Sequence, residues 1–87
     1  MKLKDGFMLR EIAGQQVVVP LGKRVVEFNG IITLSESAAL LWRMLEEGAS
    51  ETEMVEAIVK EYDIDTSTAV NDIKDFIESM KFKDLID

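Results

Sequence analysis

The sequence contains no cysteine, no histidine and one proline, Pro20. Without thiols there is no disulfide to staple the fold and no thiolate to bind a metal. Without imidazole the commonest general base and the commonest nitrogen ligand are both missing. A hydrolase or metalloenzyme of this composition would have to work with carboxylates alone. Long apolar runs are also lacking: none approaches the roughly 18 residues that span a bilayer. The opening Met1-Lys2-Leu3-Lys4-Asp5-Gly6 has no apolar stretch of the signal-peptide kind, so the chain reads as cytoplasmic. Positive charge is in deficit, with 10 basic against 17 acidic residues and a net charge of −7. That balance repels phosphate backbones and anionic lipid surfaces, which excludes nucleic acid and membranes as expected partners.

What is present is a modest core in a short chain. The 87 residues are 47% apolar, and the chain reads as one domain over residues 1–87. The first third is rich in β-branched runs, Val17-Val18-Val19, Val25-Val26 and Ile31-Ile32-Thr33, separated by Gly14, Pro20, Gly22 and Asn29-Gly30. Such punctuation is a hairpin signature. It predicts strands over Phe7–Ile12 and Gln16–Val19, joined by an Ala13-Gly14-Gln15 turn. Asn29-Gly30 suits a type I′ turn, because both residues tolerate positive φ. A second hairpin, Val25–Phe28 with Ile31–Leu34, follows from it and leaves three or four strands open.

From Ser35 the apolar period changes from two to about 3.6. Ser35 caps a first helix whose buried stripe is Ala38, Leu41, Trp42 and Leu45, widened by Leu40 and Met44, and Gly48 stops it. Trp42 belongs to the core on this phasing. Ser50-Glu51-Thr52-Glu53 is a capping box opening a second helix with Met54, Val55, Ile58, Val59 and Tyr62 inward. Asp65 caps a third helix with Ala69, Ile73, Phe76, Ile77 and Met80 inward, after which Leu85-Ile86 packs back on the body. The layout is α+β: an N-terminal antiparallel sheet followed by three helices, similar to a winged helix with its sheet moved to the front.

No pattern for catalysis or metal binding survives inspection. Asp63-Ile64-Asp65-Thr66-Ser67 begins like a calcium loop, but its sixth position is Thr68 rather than Gly and its twelfth is Lys74 rather than Glu. Glu46, Glu47, Glu51, Glu53 and Glu61 fall on solvated faces and first helical turns, where they suit the helix dipole. An acyl carrier would need an Asp-Ser-Leu attachment site, whereas Ser35 stands between Leu34 and Glu36. The third helix occupies the position of a DNA-recognition helix, but Asp72, Asp75 and Glu78 outweigh Lys74 and Lys81. No cofactor is expected.

Several short motifs follow one another in a telling order: Gly6-Phe7-Met8-Leu9-Arg10, Val17-Val18-Val19-Pro20, Phe28-Asn29-Gly30-Ile31-Ile32-Thr33-Leu34-Ser35-Glu36-Ser37-Ala38, Leu41-Trp42, Tyr62-Asp63 and the Asp72…Phe76 helix. In that order they resemble the PqqD-like family, the pyrroloquinoline quinone biosynthesis proteins D. These are type members of the recognition elements for ribosomally made, post-translationally modified peptides (RiPP recognition elements). Two departures stand out. Leu34-Ser35 replaces the family's usual Leu-Asn before the first helix, and Gly22–Gly30 is longer than the tight turn of the type member. The second leaves both the quinone pathway and another peptide product open.

The resemblance implies a three-stranded sheet, three helices and no catalysis. It also implies a peptide chaperone that binds the leader segment of a precursor peptide and presents it to a modifying enzyme, often a radical S-adenosylmethionine enzyme. The leader adds as a strand to the third strand's edge, beside the third helix. Carried onto this chain, the candidate peptide-binding residues are Gly30, Ile31, Ile32, Thr33 and Leu34 on the strand. On the helix they are Val70, Ile73, Lys74, Ile77 and Lys81. The two lysines suggest an acidic leader. The competing reading is a structural or regulatory subunit that docks on a larger protein through the same edge. Against nucleic acid the charge balance makes a sharp prediction: no specific DNA affinity at physiological salt. A sub-micromolar, salt-sensitive gel shift would contradict it.

Overall fold

The computed structural model describes residues 2–27 and 30–86. Its sheet is a meander in the order β1-β2-β3, built from β1 (Phe7–Ile12), β2 (Gln15–Pro20) and β3 (Ile32–Leu34), all antiparallel. In the β1–β2 register Ile12 faces Gln15, so the loop is the two residues Ala13 and Gly14, with φ of 51° and 80°. Positive φ at both central positions is the type I′ condition, whose twist matches that of the flanking strands. Gln15 therefore belongs to β2, not to the turn. Gly14 meets the condition freely. Ala13 does so at the cost that any Cβ incurs in the left-handed region.

The expected second hairpin does not form. Arg24–Glu27 is instead one helical turn, α1, and β3 pairs with β2. Its β-branched Val25 and Val26 are overruled by local hydrogen bonds: Arg24, Val25 and Val26 N–H donate to the carbonyls of Leu21, Gly22 and Lys23. Arg24 fixes the turn to the start of β1. Its Nε donates to the Asp5 carbonyl at 2.9 Å, its guanidinium lies 5.4 Å from the Phe7 ring centre, and it pairs with Glu27. The side chain crosses directly over Gly6, where a Cβ would meet Arg24 Cγ at 2.5 Å. Val25 and Val26 are left 57% and 89% exposed. The type I′ turn expected at Asn29-Gly30 involves residues 28 and 29, outside the described residues.

Three longer helices follow: α2 (Glu36–Glu46), α3 (Glu51–Tyr62) and α4 (Thr66–Phe82). Each begins at the expected cap. Ser35 Oγ accepts from Ala38 N–H, and Ser50 and Glu53 form the reciprocal capping box. Asp65 accepts from Thr68 N–H at 2.7 Å. Hydrogen bonds from the Ser50 backbone to Glu53 and from Thr68 to Asp65 hold both carboxyls below their usual pKa. Both α2 and α4 end in Schellman motifs. After α2, Ala49 and Gly48 N–H donate to Met44 and Leu45 carbonyls; after α4, Leu85 and Asp84 donate to Met80 and Lys81. The left-handed residue is Gly48 in the first and Asp84, at φ 62°, in the second.

That second turn sends Leu85 and Ile86 back into the core, as expected. Leu3 pairs with Ile86, Lys4 N–H donates to the Leu85 carbonyl, and Lys4 forms an ion pair with Asp84. The hydrogen bond from Lys4 lowers the Asp84 pKa. On the inner sheet face Leu9, Val18 and Ile32 line up across the three strands beside Leu34. They meet Leu41, Trp42 and Leu45 of α2, Met54 and Ile58 of α3, and the Ala69–Met80 stripe of α4 in one core.

Two predictions follow from this packing. Trp42 is only 1% exposed, so Trp42→Ala should destabilise the domain by about 3–5 kcal/mol, measured by denaturant titration. Ala13→Asn should raise stability by roughly 0.5–1 kcal/mol, because Asn tolerates the left-handed region better than Ala. A lower midpoint for the Asn variant would refute the turn assignment.

Candidate functional site

β3 is hydrogen-bonded to β2 on one side and stands at the margin of the sheet. Strand alternation turns Ile32 and Leu34 toward the core and Thr33 away from it. Beside β3 lies an open cleft of about 360 Å³ between the strand, the start of α2 and one face of α4. Its floor is apolar: Leu34, Ala38, Leu41, Ile58, Phe76 and Met80. Its rim is polar, with Thr33, Ser35 and Ser37 on one wall and Asp72, Asp75, Ser79 and Lys83 on the other. A free strand edge next to an apolar trough is the geometry that receives an extended peptide. Backbone pairing supplies affinity, and the trough reads alternate side chains.

The residues expected at this site divide into three groups. Thr33 and Leu34 line the cleft; Ile32 completes the strand, while Gly30 and Ile31 lead into it, Ile31 being 58% exposed. Ile73 and Ile77 are buried in the core stripe of α4. Val70, Lys74 and Lys81 are not part of the cleft lining. At 100° per residue they stand about 120–160° around α4 from Phe76, whereas Asp72, Ser79 and Lys83 lie within about 60° of it on the other side. The α4 face toward β3 is therefore the Asp72–Asp75–Ser79–Lys83 shoulder of the stripe. The resemblance implies the shoulder with Val70, Lys74 and Lys81, yet the cleft takes its apolar surface from the stripe itself and its rim from polar residues.

Electrostatics at the cleft follow from these three charges. Asp72 and Asp75 sit one turn apart on α4, and neither makes an ion pair among the described residues. Lys83 Nζ donates to Ser79 Oγ at 2.9 Å. Among the described residues no three acidic side chains are grouped to hold a metal ion, and no helix is long and apolar enough to cross a membrane.

A larger depression of about 590 Å³ lies between residues 2–7 and the end of α2. Trp42 is in its wall, with an indole N–H that has no partner among the described residues. The backbone there is already engaged, however: Leu3 with Ile86, Lys4 with Leu85, and the Gly6 carbonyl with Leu21 N–H. Of the three strands, only the first residue of β1, Phe7, lines the depression.

A sheet edge, an apolar trough and a helix wall together make a surface able to take an extended peptide. Residues 15–86 match the family described as coenzyme PQQ synthesis protein D (PqqD), and the chain belongs to that family. PqqD-like proteins are RiPP recognition elements, the recognition partners of peptide-modifying enzymes. Two solved structures share the fold. "TbiB1 in Complex with the TbiA(beta) Leader Peptide" is 29% identical with a TM-score of 0.82, covering 100% of this chain and 95% of its own. "Lasso peptide synthetase B1 complexed with the leader peptide" is 20% identical with a TM-score of 0.79, covering 97% and 93%. No curated protein matches the sequence.

Proposed function

We propose that this chain is a non-catalytic peptide chaperone. It captures the leader segment of a ribosomally made precursor peptide as a fourth strand on β3 and presents it to a modifying enzyme, a radical S-adenosylmethionine enzyme or another. The observation that carries this reading is the one-sided pairing of β3 beside an apolar-floored cleft. The TbiB1 neighbour, a complex with its leader peptide, supports it at 29% identity over the whole chain. The absence of histidine and cysteine agrees with a division of labour in which the chemistry belongs to the partner. On this reading the contact residues are the backbone of Ile32–Leu34, with Ala38, Leu41, Phe76 and Ser79 receiving side chains. Ile73 and Ile77 support the wall from within.

Strand addition has a signature that side-chain docking lacks. Random peptides of about 12 residues, long enough to form a strand, can be selected on the protein by display. The best binder is then synthesised with an N-methyl group at each position in turn. Affinity should fall at alternate positions, because only every second N–H of an added strand points at β3. Ala38→Phe, which fills the cleft from the α2 wall, should weaken binding about tenfold or more, equivalent to about 1.4 kcal/mol, with an unchanged circular dichroism spectrum. A uniform N-methyl profile, together with indifference to Ala38→Phe, would refute capture by strand addition at this cleft.

A further inference from the structure

The charge preference of the cleft is opposite to the one suggested by the lysines of α4. Resting on the strand-addition reading above, we propose that the bound peptide carries a lysine or arginine whose cation seats on the Asp72–Asp75 pair. The specificity of this chain is thus for a basic leader segment. Among the described residues the charged side chains lining the cleft are Asp72, Asp75 and Lys83. Both aspartates are exposed and on the α4 wall, one turn apart, so a single cation on a flexible stem can reach both. Neither has an ion-pair partner within the chain among the described residues. Lys83, the cleft's own cation, is held at Ser79 Oγ and forms no ion pair with either carboxylate among the described residues. The cations that would favour an acidic peptide, Lys74 and Lys81, are on the far side of the helix.

Side-chain stems fit the same geometry. A lysine or arginine lays its methylenes along apolar surface while keeping its charged head in water. Here Phe76, next to Asp75 and one turn from Asp72, lines the cleft and offers such a surface. The net charge of −7 acts in the same direction at long range, drawing a cationic segment toward the domain at low ionic strength.

The test uses the same displayed library of random peptides, selected in parallel on four forms of the full chain: wild type, Asp72→Asn/Asp75→Asn, Lys74→Glu/Lys81→Glu and Ala38→Phe. Wild type should enrich lysine or arginine at one position of the aligned binders. The double-asparagine form should lose that enrichment, and it should bind the best wild-type peptide roughly three- to tenfold more weakly at low salt. That difference should shrink at high salt, as expected for exposed charges. The Lys74→Glu/Lys81→Glu form should keep the basic position, because those residues lie away from the cleft. Enrichment of acidic residues, or a basic position that survives in the double-asparagine form, overturns the proposal and leaves strand addition standing. Failure of the strand-addition reading is separate: wild type and Ala38→Phe would then return the same binders.

Discussion

The burial of one sheet face is the constraint from which the rest of this structure follows. Leu9, Val18 and Ile32 run across the three strands, with Leu34 beside them, and all pack against Trp42 and the α4 stripe. A domain of this size buries only a limited share of its surface, so the sheet cannot also be covered at its margins. β3 is thus obliged to be a wall of the core through Ile32 and Leu34 while leaving one side of its backbone without a strand neighbour. Proteins usually blunt such an edge with charge, proline or a covering element. Here the strand is kept to three residues and flanked by a trough. On the proposed reading, stability and recognition are drawn from the same few residues.

Much of this was legible in the sequence, and the parts that were not share a cause. The helix starts at Ser35, Ser50 and Asp65 could be read because capping is local chemistry: a side-chain oxygen meets an N–H within three residues. The inward stripes of α2, α3 and α4 were likewise visible, since burial imposes the helical period directly; the exception is Tyr62, expected inward at the end of α3 but 40% exposed. The segment after Gly22 misled because two valines argue for a strand by propensity alone. Its fate is decided by Arg24 reaching back to Asp5 and Phe7, a pairing far apart in the chain that no local pattern announces.

The same limit applies to the site. Periodicity identifies which side of α4 is buried, but a stripe has two shoulders, and both border apolar residues. Which shoulder faces β3 depends on how the helix is laid across the sheet, a property of the whole chain. Hydropathy favoured the side with Val70; the fold turned the side with Asp72 and Asp75 toward the strand. Charge read from the Val70 shoulder points to an acidic ligand, whereas the carboxylates that line the cleft are Asp72 and Asp75. The Ala13-Gly14 loop meets the type I′ backbone requirement with a less favourable composition, because the register of β1 on β2 leaves two residues and no more to close it.

The brevity of β3 has a consequence for how a peptide would find its place. Three residues offer so few outward backbone groups that a guest strand could slide along them, forming similar ladders at several offsets. Each slip by one residue would exchange every side chain between the cleft and solvent. An apolar floor that opens at Leu34, near the end of the strand, breaks that equivalence by rewarding one offset over its neighbours. On the strand-addition reading the trough would act as a ratchet stop, setting the distance between the captured segment and whatever part of the peptide is to be modified.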